Sequence, residues 1–206
     1  MARAWRTITA AAGLMLTAAP ALAHHPMGGR LPSTLTEGML SGLGHPIIGL
    51  DHLAAVVAIG CLAALHRVGA GLVIGYVLAM VLGAAIHVQG ATLPAAEALV
   101  ALSVIALGAV LIWARALPAL AALALFAVAG LFHGYALGES IVGAERTPLV
   151  AYFAGLAVVQ SVIGLGVMLA VRLLVQQAPR RMEAAPYLGG AVIAVGLFAL
   201  ATQFAA

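Results

Sequence analysis

His45-Pro46-Ile47-Ile48-Gly49-Leu50-Asp51-His52 sets three side chains able to bind a metal inside a stretch that is otherwise apolar from Met39 to Leu65. At the centre of a membrane-spanning helix an ionisable group costs roughly 2.5 to 3.5 kcal/mol even on the lenient insertion scale, so such groups mark ion or substrate paths. A buried imidazole also needs a partner for its second nitrogen, and a neighbouring carboxylate is a common one at metal sites.

The rest of the chain makes lipid the solvent. Of 206 residues, 65% are hydrophobic and 7% are charged, and the mean hydropathy is +1.17, values outside the range of water-soluble domains. All nine basic residues are arginines, scattered over loops and termini. No basic run tracks a phosphate backbone, which argues against nucleic acid as a partner. Cys61 is the single cysteine, so the chain has neither an intramolecular disulfide nor a Cys-x-x-Cys metal site, and this residue reads as a small buried apolar side chain.

Residues 1–23 read as a secretory signal: Arg3 and Arg6, an apolar stretch through Leu16, then Ala21-Leu22-Ala23 as a small-x-small cleavage site. Its apolar core is short for an uncleaved span. Cleavage would place His24 and His25 at a new N-terminus beside a free amine, where they are weaker candidates for capturing a metal. Residues 24–206 then read as one all-α, six-helix transmembrane bundle with approximate spans 39–65, 70–88, 95–113, 116–135, 149–175 and 187–204. Pro94, Pro118, Pro148 and Pro186 fall near the starts of the last four, where a missing N–H has no intrahelical partner to lose. Pro46 differs in lying well inside the first span, beside the motif.

Arg67, Arg115, Arg172, Arg180 and Arg181 flank the turns after the first, third and fifth spans, against Arg30 and Arg146 on the other side. The positive-inside rule makes those turns cytoplasmic and puts both mature termini outside. Gly130, Gly134 and Gly138 repeat every four residues, as do Gly71 and Gly75, and both stripes would let neighbouring helices approach closely.

That topology places His45 near the outer end of the first span and His52 about 10 Å deeper on the same face; on an ideal helix Asp51 points about 120° away. Either Asp51 orients a histidine from beside the site, or Pro46 and Gly49 distort the helix and bring all three side chains inward. His133 lies near the outer end of the fourth span, followed by Glu139; His87 and Glu97 are weaker candidates at the same level. His66, beside Arg67, reads as an interfacial residue. Imidazole nitrogens with carboxylate oxygens suit nickel, cobalt, zinc or copper(II) better than magnesium or calcium.

These residues resemble those of the HupE/UreJ family, hydrogenase and urease accessory membrane proteins regarded as nickel or cobalt permeases. The resemblance covers nearly the whole precursor and rests on the His45, Asp51-His52 pattern together with Phe132-His133-Gly134 and Gly138-Glu139. It implies that His45, Asp51, His52, His133 and Glu139 handle the metal. Many members are similar at the second motif but have a further histidine where this chain has Leu137, so this chain has one nitrogen ligand fewer.

The expected protein is a multi-pass permease of the bacterial inner membrane, with both termini periplasmic, that takes Ni²⁺ or Co²⁺ as its substrate. Its partners are membrane lipid, the metal ion, and an oligomer or larger membrane complex. No nucleotide-binding loop is present, so transport by this chain would be facilitated or secondary. No His-Glu-x-x-His or Gly-x-Ser-x-Gly pattern suggests an enzyme. The alternative is a non-transporting accessory subunit that binds a metal or a pigment within a larger membrane complex. Because ligation needs neutral imidazole and ionised carboxylate, acidification should weaken binding in either case.

Overall fold

The computed structural model describes residues 30–113, 116–177 and 184–205, and among these the only regular secondary structure is helical. The expected signal segment 1–23 and His24 and His25 lie outside the described residues. In chain order the helices are α1 Leu35–Ile48, α2 Leu50–Ala64, α3 Gly69–Val88, α4 Ala96–Trp113, α5 Ala119–Glu139, α6 Arg146–Gln177 and α7 Ala185–Ala205. α3 to α7 are each long and apolar enough to cross a membrane, and α1 with α2, bent by 79° at their junction, together have the length and composition of one further, broken span or of a re-entrant loop. The protein is a polytopic helical membrane protein, and its outer faces, including Leu78, Leu82, Leu120 and Val162, are exposed apolar surface suited to lipid.

The first span is where the structure departs from a continuous helix over 39–65. Thr34 caps α1 by accepting the Glu37 N–H at 3.1 Å, while the Glu37 carboxylate bonds back to Ser33 and pairs with Arg30 at 2.7 Å. This is close to a capping box, with the reciprocal bond made one residue early. Pro46 has no N–H to continue the ladder, and Gly49 then turns extended at φ −74° and ψ 104°. Gly49 N–H still reaches the His45 carbonyl at 3.0 Å, and its own carbonyl accepts the Leu53 N–H at 2.9 Å. The chain therefore changes direction with its backbone groups largely paired, as a non-aqueous setting demands.

Three glycine seams hold the bundle. Along α3 and α5, which run parallel, an added Cβ at Gly130, Gly134 or Gly138 would meet the backbone of Tyr76, Met80 or Ala84, at 1.8 Å from the Met80 carbonyl oxygen in the tightest case. Gly83 answers from α3 against Leu131. Parallel α1 and α6 meet through Gly38, Gly42 and Gly155, and antiparallel α4 and α7 through Gly108, Gly189 and Gly196. With no hydrophobic drive between helices in lipid, such close backbone contact and the dispersion it permits hold the pairs together. The Gly71 and Gly75 stripe is not a seam of this kind: a Cβ at Gly71 meets nothing within 4 Å, and at Gly75 only the Leu123 side chain. At the other end of the bundle, Arg172 of α6 donates to the carbonyls of Ala64 and His66, satisfying the last turn of α2.

Gly134→Ala should force α3 and α5 apart and cost about 1 to 3 kcal/mol, the usual range for overpacking, whereas Gly71→Ala should leave stability unchanged. Thermal unfolding of the two variants in detergent checks the contrast.

Candidate metal site

The break at Gly49 decides between the two arrangements open to the motif. α1 ends with His45 in its last turn and α2 restarts at Leu50, so Asp51 and His52 belong to a new helix whose phase is independent of the first. All three side chains turn inward: His45 is 3% exposed, His52 4% and Asp51 7%. Asp51 Oδ1 accepts the His52 backbone N–H at 2.9 Å, where the carboxylate also meets the positive end of the α2 dipole. A Cβ on Gly49 would stand 2.7 Å from His52 Cδ2 and 3.3 Å from Asp51 Oδ1. Both side chains thus fold back over the glycine, and its missing side chain is what lets them do so.

His133, fully buried on α5, reaches the same place. Its ring centroid lies 4.9 Å from that of His52, which is in turn 6.1 Å from that of His45, so the three imidazoles form a row. His52 Nδ1 and His133 Nδ1 are 2.7 Å apart, a hydrogen bond in which one nitrogen carries the proton. Ser103 of α4 assigns it. The Ser103 hydroxyl lies 2.7 Å from the Val100 carbonyl, which only accepts, and 3.0 Å from His133 Nε2. The arrangement that satisfies both has Ser103 donating to Val100 and accepting from His133 Nε2–H. His133 Nδ1 then accepts, His52 Nδ1–H donates, and the lone pair of His52 rests on Nε2. At the other end of the row, His45 Nδ1 lies 2.8 Å from the Tyr152 hydroxyl and 3.1 Å from Ser140 Oγ, and both hydroxyls also reach the Leu137 carbonyl.

The remaining candidates sit at helix ends and turns. Glu139, the last residue of α5, is exposed. His87 is partly buried at the end of α3, stacked on Tyr135 at 4.1 Å between ring centroids, with Nδ1 2.6 Å from the Tyr135 carbonyl. Glu97 is partly buried in the first turn of α4. His66 lies in the turn after α2, its carbonyl taken by Arg172. Among the described residues no three His, Cys, Asp or Glu side chains form a ready-made cation cage; in the row, His45 Nδ1, His52 Nδ1 and both nitrogens of His133 are engaged in hydrogen bonds. Ser103, Ser140 and Tyr152, the groups that fix the rings, were not among the sequence candidates. Their one signal is that they are polar side chains in or beside apolar spans.

A helical membrane protein with imidazoles and a carboxylate gathered at a broken span is the class that this fold and site define. The model of the HupE / UreJ protein family matches residues 12–200. The chain is also 32% identical over 156 residues to Protein HupE of Rhizobium leguminosarum bv. viciae, an alignment covering 74% of this chain and 79% of that protein. The chain therefore belongs to the HupE/UreJ family. No solved structure matches it significantly.

The proton assignment has a direct check. Nitrogen-15 NMR of histidine-labelled protein at neutral pH should show His52 protonated on Nδ1 and His133 on Nε2, and Ser103→Ala should remove the preference at His133. Gly49→Ala should shift the His52 resonances most, because its Cβ enters the space of that ring.

Proposed function

We propose that this protein is a permease that carries Ni²⁺ or Co²⁺ from the periplasm to the cytoplasm across the bacterial inner membrane, supplying maturation of a metalloenzyme such as a hydrogenase or a urease. The observation that carries the reading is the convergence of His45, Asp51, His52 and His133 at a helix break inside the bundle, where lone-pair nitrogens and a carboxylate lie out of reach of bulk water. Discontinuous helices are where many transporters bind their ions, because the free helix ends and unwound backbone supply charge and ligands at depth. The arginine distribution supports a placement of this site toward the outer side.

In this reading the metal is cargo and the chain is not an enzyme. An arriving ion takes the His52 Nε2 lone pair first and then displaces the imidazole–imidazole hydrogen bond, which frees His133 Nδ1 as a second nitrogen. Two imidazoles with a carboxylate suit a first-row divalent ion. The hydroxyls of Ser103, Ser140 and Tyr152 hold the rings in place during the exchange, as outer hydrogen-bond partners do at metal sites. Glu139, exposed beyond His133, concentrates cations at the mouth and does not ligate. Coupling to a proton gradient or simple diffusion supplies the drive, since no nucleotide loop is present.

Accumulation of radioactive nickel and cobalt in cells expressing His52→Ala or Asp51→Ala should fall to the level of cells lacking the protein; accumulation equal to wild type would remove the motif from the mechanism. Glu139→Ala should keep maximal uptake while raising the half-saturating concentration by about twofold to fivefold, the modest effect of losing one steering charge.

A further inference from the structure

The end of α3 carries a further imidazole whose proton and lone pair are assigned by its surroundings. His87 is partly buried, and its Nδ1 lies 2.6 Å from the Tyr135 carbonyl, which only accepts, so Nδ1 carries the proton and the lone pair rests on Nε2. Among the described residues Nε2 has no hydrogen-bond partner, and it is not sealed from solvent. Donation of the other ring N–H to a backbone carbonyl is the usual arrangement of a metal-binding histidine, because the bond fixes both tautomer and ring orientation. The Tyr135 carbonyl lies inside α5, where the helix ladder also uses it. The bond therefore acts on the ring and is not needed to close the backbone.

Tyr135 holds that ring in a second way. The imidazole stacks on the phenol at 4.1 Å between centroids, with 27° between the planes. The phenol is itself pinned by the connection from α3 to α4: Tyr135 Oη donates to the Ala91 carbonyl and accepts the Leu93 N–H, both at 2.8 Å. The level of His87 follows from the glycine seam. A Cβ on Gly134 would touch Met80, and one on Gly138 would touch Ala84 and stand 3.1 Å from His87 Cβ. His133 is therefore level with Ala79 or Met80, and the His87 backbone lies about 11 Å beyond it along α3. That direction leads to the end of α5 that carries the exposed Glu139.

We propose that His87 is an outer capture station for the permeating ion, taking a hydrated Ni²⁺ or Co²⁺ through Nε2 before it reaches the imidazole row. This rests on the permease reading above and adds to it a step ahead of His52. Imidazole nitrogen suits such an ion, and one nitrogen in place of one water holds it more loosely than two imidazoles with a carboxylate. Loose binding suits an entry, since conduction needs ions to be held and then released. Glu139, at the same end of the bundle, supplies the negative charge that a neutral imidazole lacks. Tyr135 is a positioning residue: it touches no ion and sets the direction of the lone pair.

The test labels purified protein in detergent with diethyl pyrocarbonate at neutral pH, reads each histidine by peptide mass spectrometry, and repeats the labelling over a range of Ni²⁺ concentrations. His87 should react through its open lone pair, and saturating Ni²⁺ should slow that reaction by about fivefold or more. In His52→Ala the midpoint of this protection should stay within about twofold of wild type, because the two sites are far enough apart to act independently. In vesicles reconstituted with purified protein, His87→Gln, whose amide still has an N–H for the Tyr135 carbonyl, should raise the half-saturating Ni²⁺ concentration for uptake about threefold to tenfold and leave the maximal rate within about twofold. A His87 that stays unreactive or unprotected, protection that vanishes in His52→Ala, or a His87→Gln uptake curve equal to that of a transporting wild type would overturn the station and leave the permease reading standing. A His87→Gln that loses uptake together with a lowered melting temperature would overturn it too, by assigning the imidazole to packing. Protection intact in a wild type that moves no Ni²⁺ would keep the ion at His87 and overturn the permease reading.

Discussion

Everything at the site depends on one constraint: a helix interrupted inside a membrane must satisfy its freed backbone groups from protein, because lipid offers no hydrogen bonds. The interruption at Gly49 meets it with few parts. Pro46 has no N–H to satisfy, Gly49 bonds in both directions, and Asp51 takes the His52 N–H. The same carboxylate that closes the backbone account carries the negative charge that a cation requires. Structural repair and, under the proposed permease function, ion binding fall to one side chain.

The neighbouring helices supply what the break cannot. α5 brings His133, α4 brings Ser103, and α6 brings Tyr152, so the imidazoles are fixed from three directions. Glycine seams between α3 and α5 and between α1 and α6 set those directions, since rigid backbone contact leaves little freedom for helices to slide or rotate. A substitution in a seam is thus felt at the site through the position of a ring, without touching any polar atom.

Much of this was legible in the chain, for reasons that can be traced residue by residue. Hydropathy gave the helical membrane fold, since spans of apolar residues admit few alternatives in lipid. Pro46 and Gly49 raised the option of a distortion that would bring Asp51 inward, and the 79° bend is that distortion. Glu139 shows the converse. Six residues after His133 on an unbroken α5, it points about 120° away, by the same arithmetic that separates Asp51 from His45 on an ideal helix. No break rescues it, and it is exposed. The ring-fixing hydroxyls were not legible, because a lone polar residue in an apolar span carries no period and its partner lies on a helix distant in sequence. The glycine stripes looked alike on paper; only the three-dimensional neighbours separate the seam at Gly134 from the open face at Gly71.

The pairing of α1 with α6 also bears on how the chain is made. The hydroxyls that receive His45 lie 95 and 107 residues downstream, on Ser140 and Tyr152. At ribosomal speeds of about 5 to 20 residues per second, the first span waits on the order of 5 to 20 seconds before those partners are synthesised. During that interval a bent helix carrying two histidines and a carboxylate has to be sheltered from lipid by the insertion machinery or held at the interface. Its final embedding is therefore a late event in biogenesis, governed by the arrival of α6 and not by the order of translation.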